Sequence, residues 1–529
     1  MKRGGPTLRA RLDLVPLNPG LGLLVLSALL GAASVLGFAP SSLFPVPVAT
    51  LAFLAWLWRR SRSAGQALTL GLGFGLGYFL TGTSWVYVSM HDFGGMAWPV
   101  AGFATAFFCT YLALFPAIAG WAFARVPAPH WARLIIVFPA LWAAAEWVRG
   151  WMFTGFPWLA IGYSQSPDGP ISGFASVFGV YGVSLLAATS GGLLVWSAEA
   201  LSATRAESLP NRMRALLLHP ALACLVLLWL TGWALQRVPW TAPAGEPITV
   251  SLVQGNIEQD MKWRPESARA SLQTYLELAQ RTRGRLILLP ETALPVFNVD
   301  LPREYVDALA QPARERNGDL LTGIPEYVPG DPPNYYNSVM NFGTRPTQVY
   351  RKYHLVPFGD YFPHWGFITW IMHTLQIPMS DFGRGEPYQR PLDVAGQRVA
   401  VNICYEDVFG EEIIRQLPEA TLLANFTNDA WWGKSSASDQ HLQMAQTRSQ
   451  ESGRYMLRAT NTGVTAIIDD RGRVVGRVPQ FVVAVLEGRA QGRTGSTPYV
   501  LWGNWAFLAI VAASLLVPPL IVRFREPGA

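Results

Sequence analysis

Long apolar runs fill the two ends of this chain, whereas the stretch between them has a different pattern. Seven runs precede residue 240, at about 21–39, 42–58, 66–89, 96–124, 133–151, 171–196 and 216–236, and an eighth covers about 499–522. A helix needs roughly 20 apolar residues to cross a bilayer. The pattern therefore predicts a polytopic α-helical membrane protein with eight spans, of which the second is the shortest and contains Pro45 and Pro47.

Between residues 247 and 489, short strand-like runs alternate with polar helical segments. The predicted strands cover 248–256, 285–290, 319–324, 335–342, 347–352, 398–403, 420–426, 463–469 and 481–487, and the predicted helices about 265–283, 303–316, 409–416 and 435–451. This alternation is typical of an α/β domain whose helices cover its sheets. We therefore expect transmembrane helices 1–7 in residues 1–240, an extramembrane domain in 241–495, and transmembrane helix 8 with a tail in 496–529.

Positively charged residues predict the orientation of the spans. They cluster at alternate ends of the runs, as Lys2, Arg3, Arg9 and Arg11, then Arg59, Arg60 and Arg62, then Arg125 and Arg133, then Arg205, Arg212 and Arg214, then Arg523 and Arg525. Because cytoplasmic loops carry an excess of Lys and Arg, both termini are expected in the cytoplasm and the 241–495 domain on the far side. The first run is too long for a secretory signal, so we expect an uncleaved helix.

The composition fits a membrane protein and argues against other classes. Apolar residues make up 50% of the chain, charged residues 14%, and the mean hydropathy is +0.22. The pI near 9.2 comes largely from the arginines that orient the spans, and no basic run is interleaved with aromatics, so no nucleic-acid partner is expected. The sequence contains no zinc-spaced Cys–His cluster, phosphate loop or dinucleotide glycine motif, so we expect neither metal nor cofactor.

Cys404 is the most informative single residue. It follows the apolar run 398–403 in NICYEDVFG, whereas the other two cysteines, Cys109 and Cys224, lie inside predicted spans. On a domain that faces an oxidising compartment, a thiol without a disulfide partner is a candidate nucleophile. A lone buried cysteine is usually a small hydrophobe, but the polar turn that follows this one favours a chemical role.

Two further groups stand at the ends of strand-like runs in the same domain. They are Glu291 in LILLPETALP and Lys352 in VYRKYHLVPFG. Burying a carboxylate there without a function would be costly, whereas the lysine taken alone could be a surface strand residue. A carboxylate can take the thiol proton, and an ammonium can stabilise the thiolate and a developing oxyanion. The three groups together predict thiol-based acyl chemistry.

Four motifs, in order along the chain, carry a family resemblance: LLPETALP, KYHLVPFGDYFP, NICYEDVFG and NFTNDAWWG. They resemble the nitrilase superfamily with its Glu–Lys–Cys triad, which implies an αββα sandwich for the domain. With the eight spans and with FPWLAIGYSQ in the membrane part, nearly the whole chain resembles the apolipoprotein N-acyltransferase family of the Gram-negative inner membrane. The resemblance implies that Glu291 is the general base, Lys352 the triad lysine and Cys404 the nucleophile.

The resemblance also points to supporting residues. Tyr405 and Glu406 match positions that the family needs for activity, and Trp263 in MKWRPE matches a tryptophan near its site. Asp360 in FGDYFP stands where the family usually has a glutamate, so the carboxylate's reach is one methylene shorter. We expect these four residues to support the reaction or to bind substrate. The alternatives are a surface ion pair for Glu406 and a core or lipid-facing position for Trp263.

The reaction implied by the resemblance is transfer of a fatty acyl chain from a phospholipid, through a cysteine thioester, to the α-amine of a diacylated apolipoprotein. The implied partners are the phospholipid donor, the apolipoprotein acceptor and the bilayer, with a monomeric enzyme in the inner membrane and its catalytic domain in the periplasm. The aromatic segment 361–385 is expected to form a mobile lid at the membrane interface, with a core helix as the alternative.

Two other functional classes stay open. A membrane-tethered nitrilase-type amidase would hydrolyse small amides, but one span would suffice to tether it. A non-enzymatic lipid-binding scaffold would not need the intact set of Glu291, Lys352 and Cys404. In the membrane part, Glu146 and Arg149 lie one helical turn apart and are expected to pair, or to line a site for a lipid headgroup.

Overall fold

The computed structural model describes residues 20–203, 208–258, 265–361 and 381–525. The first ten helices belong to the membrane part: α1 (Leu21–Ser34), α2 (Pro45–Arg59), α3 (Ala64–Gly82), α4 (Trp85–Val88), α5 (Trp98–Arg125), α6 (His130–Ala132), α7 (Phe138–Arg149), α8 (Ala175–Ala203), α9 (Leu209–Leu217) and α10 (Pro220–Leu235). Four lie in the α/β domain: α11 (Pro265–Gln280), α12 (Arg303–Arg314), α13 (Gly410–Ile413) and α14 (Ala437–Ser452). Helices α15 (Pro498–Trp502) and α16 (Trp505–Arg525) follow it.

Helices form at all eight apolar runs, but not all of them are long and apolar enough to cross a membrane. Among the described residues, four helices meet that condition, at Trp98–Arg125, His130–Arg149, Ser172–Ser202 and Trp505–Arg523. The pair α9 and α10, bent by 50°, makes a fifth if it counts as one span. Helices α1 and α2 have only 14 and 15 residues, fewer than the roughly 20 that a span needs. The structure therefore has several apolar helices, and the prediction of exactly eight spans is not confirmed.

The described part of the α/β domain contains fourteen strands of three to ten residues. They are β1 (Thr241–Pro243), β2 (Ile248–Gln254), β3 (Leu286–Leu289), β4 (Asp319–Val328), β5 (Asn334–Gly343), β6 (Val349–Arg351), β7 (Leu392–Val394), β8 (Gln397–Ile403), β9 (Leu422–Thr427), β10 (Met456–Thr460), β11 (Ala466–Ile468), β12 (Val474–Arg477), β13 (Ala484–Ala490) and β14 (Arg493–Gly495). β1 pairs with β14, so the chain enters and leaves the domain side by side. The domain boundaries at residues 240 and 495 stay a prediction.

The other twelve strands form two six-stranded sheets. The β2 sheet has the order β13–β2–β3–β4–β5–β6, and the β8 sheet has the order β12–β11–β10–β9–β8–β7. The pairs β2–β3 and β3–β4 are parallel, as are β8–β9 and β9–β10, while the outer strands pair antiparallel. Two sheets with parallel centres bring many strand ends to the same edge of the domain.

The sheets pack face to face, and helices cover their outer faces. The core between the sheets contains side chains from both, including Leu252, Leu288, Val401 and Ala424. Helices α11 and α12 cover the outside of the β2 sheet with Tyr275, Leu278 and Leu309, and α14 covers the outside of the β8 sheet with Leu442 and Ala445. The predicted αββα sandwich is therefore confirmed.

Strand β10 (Met456–Thr460) lies inside the β8 sheet, although the sequence pattern did not predict it. The charged Arg458 in its centre interrupts the apolar pattern expected of a buried strand. In the structure this side chain is fully buried, and carboxylates and amides hold it there. The edge strands β7 and β12 were also missed, since three or four residues give little periodicity.

Helix α14 (Ala437–Ser452) joins the α/β domain to the membrane part. Its sequence is polar, yet thirteen of its sixteen residues are buried. Gln440 accepts a hydrogen bond from the indole of Trp158, and Gln443 donates to the carbonyl of Ser166. Polar side chains of the helix thus pair with loops of the membrane part, which explains how a polar helix can be buried.

Candidate active site

Glu291, Lys352 and Cys404 meet at strand ends from both sheets. Glu291 comes two residues after β3 and Lys352 directly after β6, so both belong to the β2 sheet. Cys404 directly follows β8 of the other sheet. Lys352 Nζ lies 3.5 Å from Glu291 Oε1, and the charges of both residues act on the thiol of Cys404. The structure therefore brings the three predicted residues together across the space between the sheets.

Cys404 has an unusual backbone conformation. Its φ of +54° lies in the left-handed region, which residues with a side chain rarely adopt. The Nδ2 of Asn425 donates a 3.0 Å hydrogen bond to the carbonyl oxygen of Cys404 and so holds the turn. The half-buried side chain packs against the core between the sheets and also against the apolar core of the membrane helices. Such strain at a strand end is typical of a functional constraint.

The Glu291 carboxylate is held from both sheets. Its Oε1 atom accepts a 2.8 Å hydrogen bond from the side-chain amide of Asn337, which lies on β5 of the β2 sheet. Its Oε2 atom accepts a 2.9 Å bond from the backbone N–H of Asn428, which directly follows β9 of the β8 sheet. Glu291 is only 8% exposed, so these donors fix the orientation of a carboxylate that water reaches poorly.

Asp360 is a direct partner of Lys352. Its Oδ2 atom lies 2.7 Å from Lys352 Nζ and also accepts a 2.8 Å hydrogen bond from the N–H of Val356. Burial would lower the pKa of Lys352, which is 2% exposed, but the negative charges of Asp360 and Glu291 raise it above its usual value. The lysine is therefore a charged ammonium inside the site.

The Cys404 thiol is protonated at rest. Burial raises its pKa above the usual value, and the negative charge of Glu291 raises it further. Lys352 and a hydrogen bond with Thr427 act in the opposite direction without reversing the shift. Because the thiolate is the nucleophile, this cysteine needs a base that removes its proton during the attack. Glu291 is the carboxylate that this geometry offers.

Glu406 contacts both segments that carry the lysine and the cysteine. Its Oε2 atom accepts from the N–H of Ile403 at 2.6 Å and from the hydroxyl of Tyr350 at 3.0 Å. Its Oε1 atom accepts from the N–H groups of Tyr353 and His354 at 2.7 and 3.0 Å. Burial raises the pKa of Glu406 to about 7. Its contacts therefore go to the backbone beside Cys404 and Lys352, and not to a surface arginine.

Tyr405 packs against the membrane part. Its ring stacks with the rings of Phe156 and Trp158, with centroids 6.4 Å apart in each pair, and its hydroxyl donates to the carbonyl of Gly155 at 3.3 Å. The residue directly after the thiol thus rests on a loop between membrane helices. This contact couples the position of Cys404 to the membrane part.

Glu146 and Arg149 hold that same loop. The carboxylate of Glu146 accepts from the N–H of Ile161 at 3.0 Å, and Arg149 donates to the carbonyls of Phe156 and Trp158. Both side chains are buried. The expected ion pair between them is therefore replaced by hydrogen bonds to the backbone of residues 156–161. Buried backbone groups need hydrogen-bond partners. The i, i+3 spacing of Glu146 and Arg149 in the sequence does not reveal that they are the partners of this loop.

Two of the predicted features lie outside the described residues. Trp263 is one, and residues 362–380 of the aromatic segment 361–385 are the other. Sequence reasoning missed Asn337 and Asn425. Asn428 lies in the motif NFTNDAWWG, whose polar residues after the strand could be functional or could only shape a turn, so the sequence gave a signal there. Among the described residues, no group of three or more His, Cys, Asp or Glu side chains could hold a metal ion.

Comparisons with known proteins agree with this architecture. The family model "Apolipoprotein N-acyltransferase N-terminal domain" matches residues 30–193, and "Carbon-nitrogen hydrolase" matches residues 249–499. The apolipoprotein N-acyltransferase of Nitrosomonas europaea is 53% identical over 500 residues, covering 94% of this chain and 97% of that protein. The apolipoprotein N-acyltransferase of Methylococcus capsulatus is 43% identical, covering 90% and 91%.

Among solved structures, an amidase from Nesterenkonia has 18% identity and a TM-score of 0.33, covering 50% of this chain and 96% of that one. The carbon–nitrogen hydrolase match coincides with the αββα sandwich and contains all three of Glu291, Lys352 and Cys404. Because relatives above 40% identity align along nearly the whole chain, this protein belongs to the apolipoprotein N-acyltransferase family.

Proposed function

We propose that this protein transfers a fatty acyl chain from a phospholipid, through a thioester on Cys404, to the α-amine of the diacylglyceryl-cysteine of an apolipoprotein. The observation that carries the proposal is the grouping of Glu291, Lys352 and Cys404 where the sandwich meets the core of the membrane helices. A thiol at that junction can meet a lipid ester without leaving apolar surroundings. The relatives' printed name supports the choice of acceptor.

The first half-reaction acylates the enzyme. Glu291 takes the proton of Cys404 as its sulfur attacks the ester carbonyl of the phospholipid. The Lys352 ammonium, kept charged by Asp360, and a backbone N–H after Cys404 stabilise the tetrahedral oxyanion. When the carbon–oxygen ester bond breaks, Glu291 returns the proton to the departing lyso-phospholipid oxygen. A thioester is left on Cys404.

The second half-reaction discharges the thioester. The neutral α-amine of the apolipoprotein attacks the thioester carbonyl, and Glu291 takes a proton from the attacking nitrogen. The carbon–sulfur bond then breaks, an amide forms, and Glu291 returns the proton to the Cys404 sulfur. The same carboxylate therefore serves both steps in a ping-pong order. Tyr405 and Glu406 position the thiol and the lysine, and Trp263 is assigned to the neighbourhood of the site.

The membrane arrangement is also part of the proposal. Eight spans would place both termini in the cytoplasm and the 241–495 domain in the periplasm of the bacterial inner membrane. The helices at all eight apolar runs and the positions of the basic residues support it. One chain is sufficient for the proposed reaction, because Glu291, Lys352 and Cys404 all belong to it, so the proposal includes a monomeric enzyme. The segment 361–385 is proposed to keep water from the thioester.

One experiment separates transfer from hydrolysis by a tethered amidase. Purified protein is incubated with phospholipid alone, and intact mass is followed over time. We expect an acyl adduct on Cys404 that persists. A diacylated lipopeptide with a free amine should discharge this adduct and form an amide. The same peptide with a blocked amine should leave the adduct in place. Rapid release of free fatty acid without amide product would favour the amidase. No adduct at all, with Cys404 reactive towards alkylation, would favour a non-enzymatic scaffold.

A separate triple variant tests whether the segment 361–385 keeps water from the thioester. Replacing Trp365, Phe367 and Trp370 together with serine should slow acylation and raise the leakage of free fatty acid, because water then reaches the thioester. Unchanged partition between amide and fatty acid would remove the lid from the proposal without affecting the chemistry assigned to Cys404.

A further inference from the structure

The base and the nucleophile come from different sheets, so neither sheet alone fixes their separation. Glu291 follows β3 of the β2 sheet, whereas Cys404 follows β8 of the β8 sheet. Sheets that pack through apolar side chains are held by non-directional contacts. Catalysis, in contrast, depends on placement within a fraction of an ångström. Directional bonds near the site therefore have to set the relative position of Glu291 and Cys404.

A cluster of four buried polar residues lies beside the site, and the proposed reaction does not use it. Its members are Asp407, Asp429, His441 and Arg458, each 1% exposed or less. His441 Nε2 lies 2.6 Å from an oxygen of Asp407, and Arg458 donates to Asp407 at 2.9 Å and to Asp429 at 3.2 Å. Arg458 also approaches His441 Nδ1 at 2.6 Å. Buried charges are tolerated when they are paired and hydrogen-bonded to one another in this way.

One end of the cluster is the turn that carries the nucleophile. Asp407 lies three residues after Cys404 in the same 3₁₀ turn, Cys404–Val408. Arg458 donates to Asn425 Oδ1 at 2.8 Å, and the amide nitrogen of Asn425 donates to the carbonyl oxygen of Cys404. The strained φ of Cys404 is thus held through its carbonyl and through the following turn.

On its other side, the cluster adjoins the residue whose backbone N–H donates to the Glu291 carboxylate. Asp429 directly follows Asn428, whose backbone N–H donates to Glu291 Oε2 at 2.9 Å. The hydroxyl of Thr427 donates to Asp429 at 3.0 Å, which ties the same short segment to the end of β9. A shift of Asp429 therefore moves the N–H that orients the base.

His441 occupies the centre of this arrangement. It comes from α14, the helix that packs on the membrane part, and its ring packs against the rings of Trp158 and Trp432, with centroids 5.6 and 5.0 Å away. Trp158 belongs to the membrane loop on which Tyr405 rests. The imidazole thus contacts Trp158 of the membrane loop and Asp407 in the turn after the thiol. Its Nδ1 atom also lies 3.3 Å from Oδ1 of Asp429.

We propose that His441, together with Arg458, is a positioning residue that fixes the Glu291 carboxylate relative to the Cys404 thiol by holding Asp407 and Asp429. This inference rests on the proposed acyl transfer. His441 touches neither the base nor the sulfur, so it acts through the two aspartates. Its removal should disturb the rate of bond formation and leave lipid binding intact.

The test compares two buried residues on the same helix. Full-length wild type, His441→Ala, His441→Gln and the control Gln443→Ala are purified, and single-turnover acylation of Cys404 is measured against phospholipid concentration. Gln443 is 2% exposed, and its hydrogen bonds go to loops of the membrane part, at Ser166 and Ala39. It therefore matches His441 in burial but not in its link to the site.

We expect His441→Ala to lower the maximal acylation rate by about 100-fold, the cost of a misplacement of about 1 Å, with little change in the half-saturating lipid concentration. His441→Gln should recover part of the rate, since its amide can donate to Asp407. Gln443→Ala should change only the thermal transition. A His441→Ala rate equal to that of Gln443→Ala would overturn the inference.

If His441→Ala does not fold, Asp429→Asn replaces it, and a wild-type rate in that variant overturns the inference equally. If the wild-type protein forms no thioester, the proposed acyl transfer itself is contradicted. Failure of the positioning role and failure of the proposed function therefore give different results.

Discussion

Asp360 Oδ2 lies 2.7 Å from Lys352 Nζ. The same nitrogen is 3.5 Å from Glu291, so the aspartate, despite its shorter side chain, is the nearer carboxylate. The backbone N–H of Val356 holds Asp360 in that place. This bond places the Asp360 carboxylate beside the ammonium, so Lys352 has a carboxylate partner on the segment that directly follows it.

The first prediction concerns this pair. Asp360→Asn and Asp360→Ala should raise the activation free energy of acylation by about 2–4 kcal/mol, because the ammonium proposed to stabilise the oxyanion loses its nearest counter-charge. Asp360→Glu should keep much of the activity. Asp393→Asn, which removes an exposed ion pair with Arg345, is the matched control and should act like wild type. Full activity of Asp360→Ala would make the residue a spectator.

The second prediction concerns the nucleophile. Cys404→Ala should lose all activity and all acyl adduct, and Cys404→Ser should be nearly as inactive, because a hydroxyl is much harder to deprotonate than a thiol. Removing Cys109 and Cys224 together should leave activity nearly intact. An adduct that maps to either of those residues contradicts the assignment.

Because burial and Glu291 raise the pKa of Cys404, the resting thiol should stay protonated from about pH 6 to about pH 9. The ultraviolet absorbance of thiolate should therefore not differ between wild type and Cys404→Ser over that range. A thiolate signal near neutral pH would show that the base is not needed to generate the nucleophile.

The third prediction concerns Glu406 and pH. Its pKa is about 7 in the folded protein, against an ordinary value of 4.5, because of burial. Between those two values the folded state keeps a proton that the unfolded state has released. The contribution of Glu406 to the free energy of unfolding should therefore be full below about pH 4.5 and decline as the pH rises through 7.

Thermal unfolding of wild type and Glu406→Gln, measured across that pH window, checks the third prediction. The glutamine cannot ionise, so the wild type should lose stability relative to the variant as the pH rises. The exposed-residue change Glu277→Gln serves as control. A difference between wild type and Glu406→Gln that does not depend on pH would show that Glu406 keeps an ordinary pKa.

The fourth prediction concerns topology. A reporter that is active only outside the cytoplasm should be active when fused near Pro247 and silent when fused near Ser208, because Arg205, Arg212 and Arg214 predict that this segment lies inside. The reverse result would contradict the proposed orientation. Equal activity at both sites would show that α9 and α10 do not cross the membrane as one span.

Several features were readable from the sequence alone. Strand-like runs located the strand ends near Glu291, Lys352 and Cys404, and the runs before Glu291 and Cys404 are apolar, as expected of buried strands. Long apolar runs located the helices of the membrane part. The number of spans was not readable, since the helices Leu21–Ser34 and Pro45–Arg59 have fewer residues than the apolar runs predicted at 21–39 and 42–58.

Other features depended on contacts between residues far apart in the chain. Strand β10 was not predicted because it contains the charged Arg458. That charge is compatible with burial only beside Asp407 and Asp429, which lie 51 and 29 residues away in the chain. Glu146 and Arg149 stood at a spacing that suggests an ion pair, yet both bond to the backbone of a loop that the spacing does not describe.

The sequence by itself determined which side chains could carry the chemistry, since each sits at the end of its own strand. Only the tertiary structure decided that Glu291 and Lys352 of one sheet face Cys404 of the other. The physical reason is that a strand's pattern specifies which face is buried but not which sheet covers that face. The packing of the sandwich, and the bonds of Asn428 and Glu406 across it, make three separate strand ends into one site.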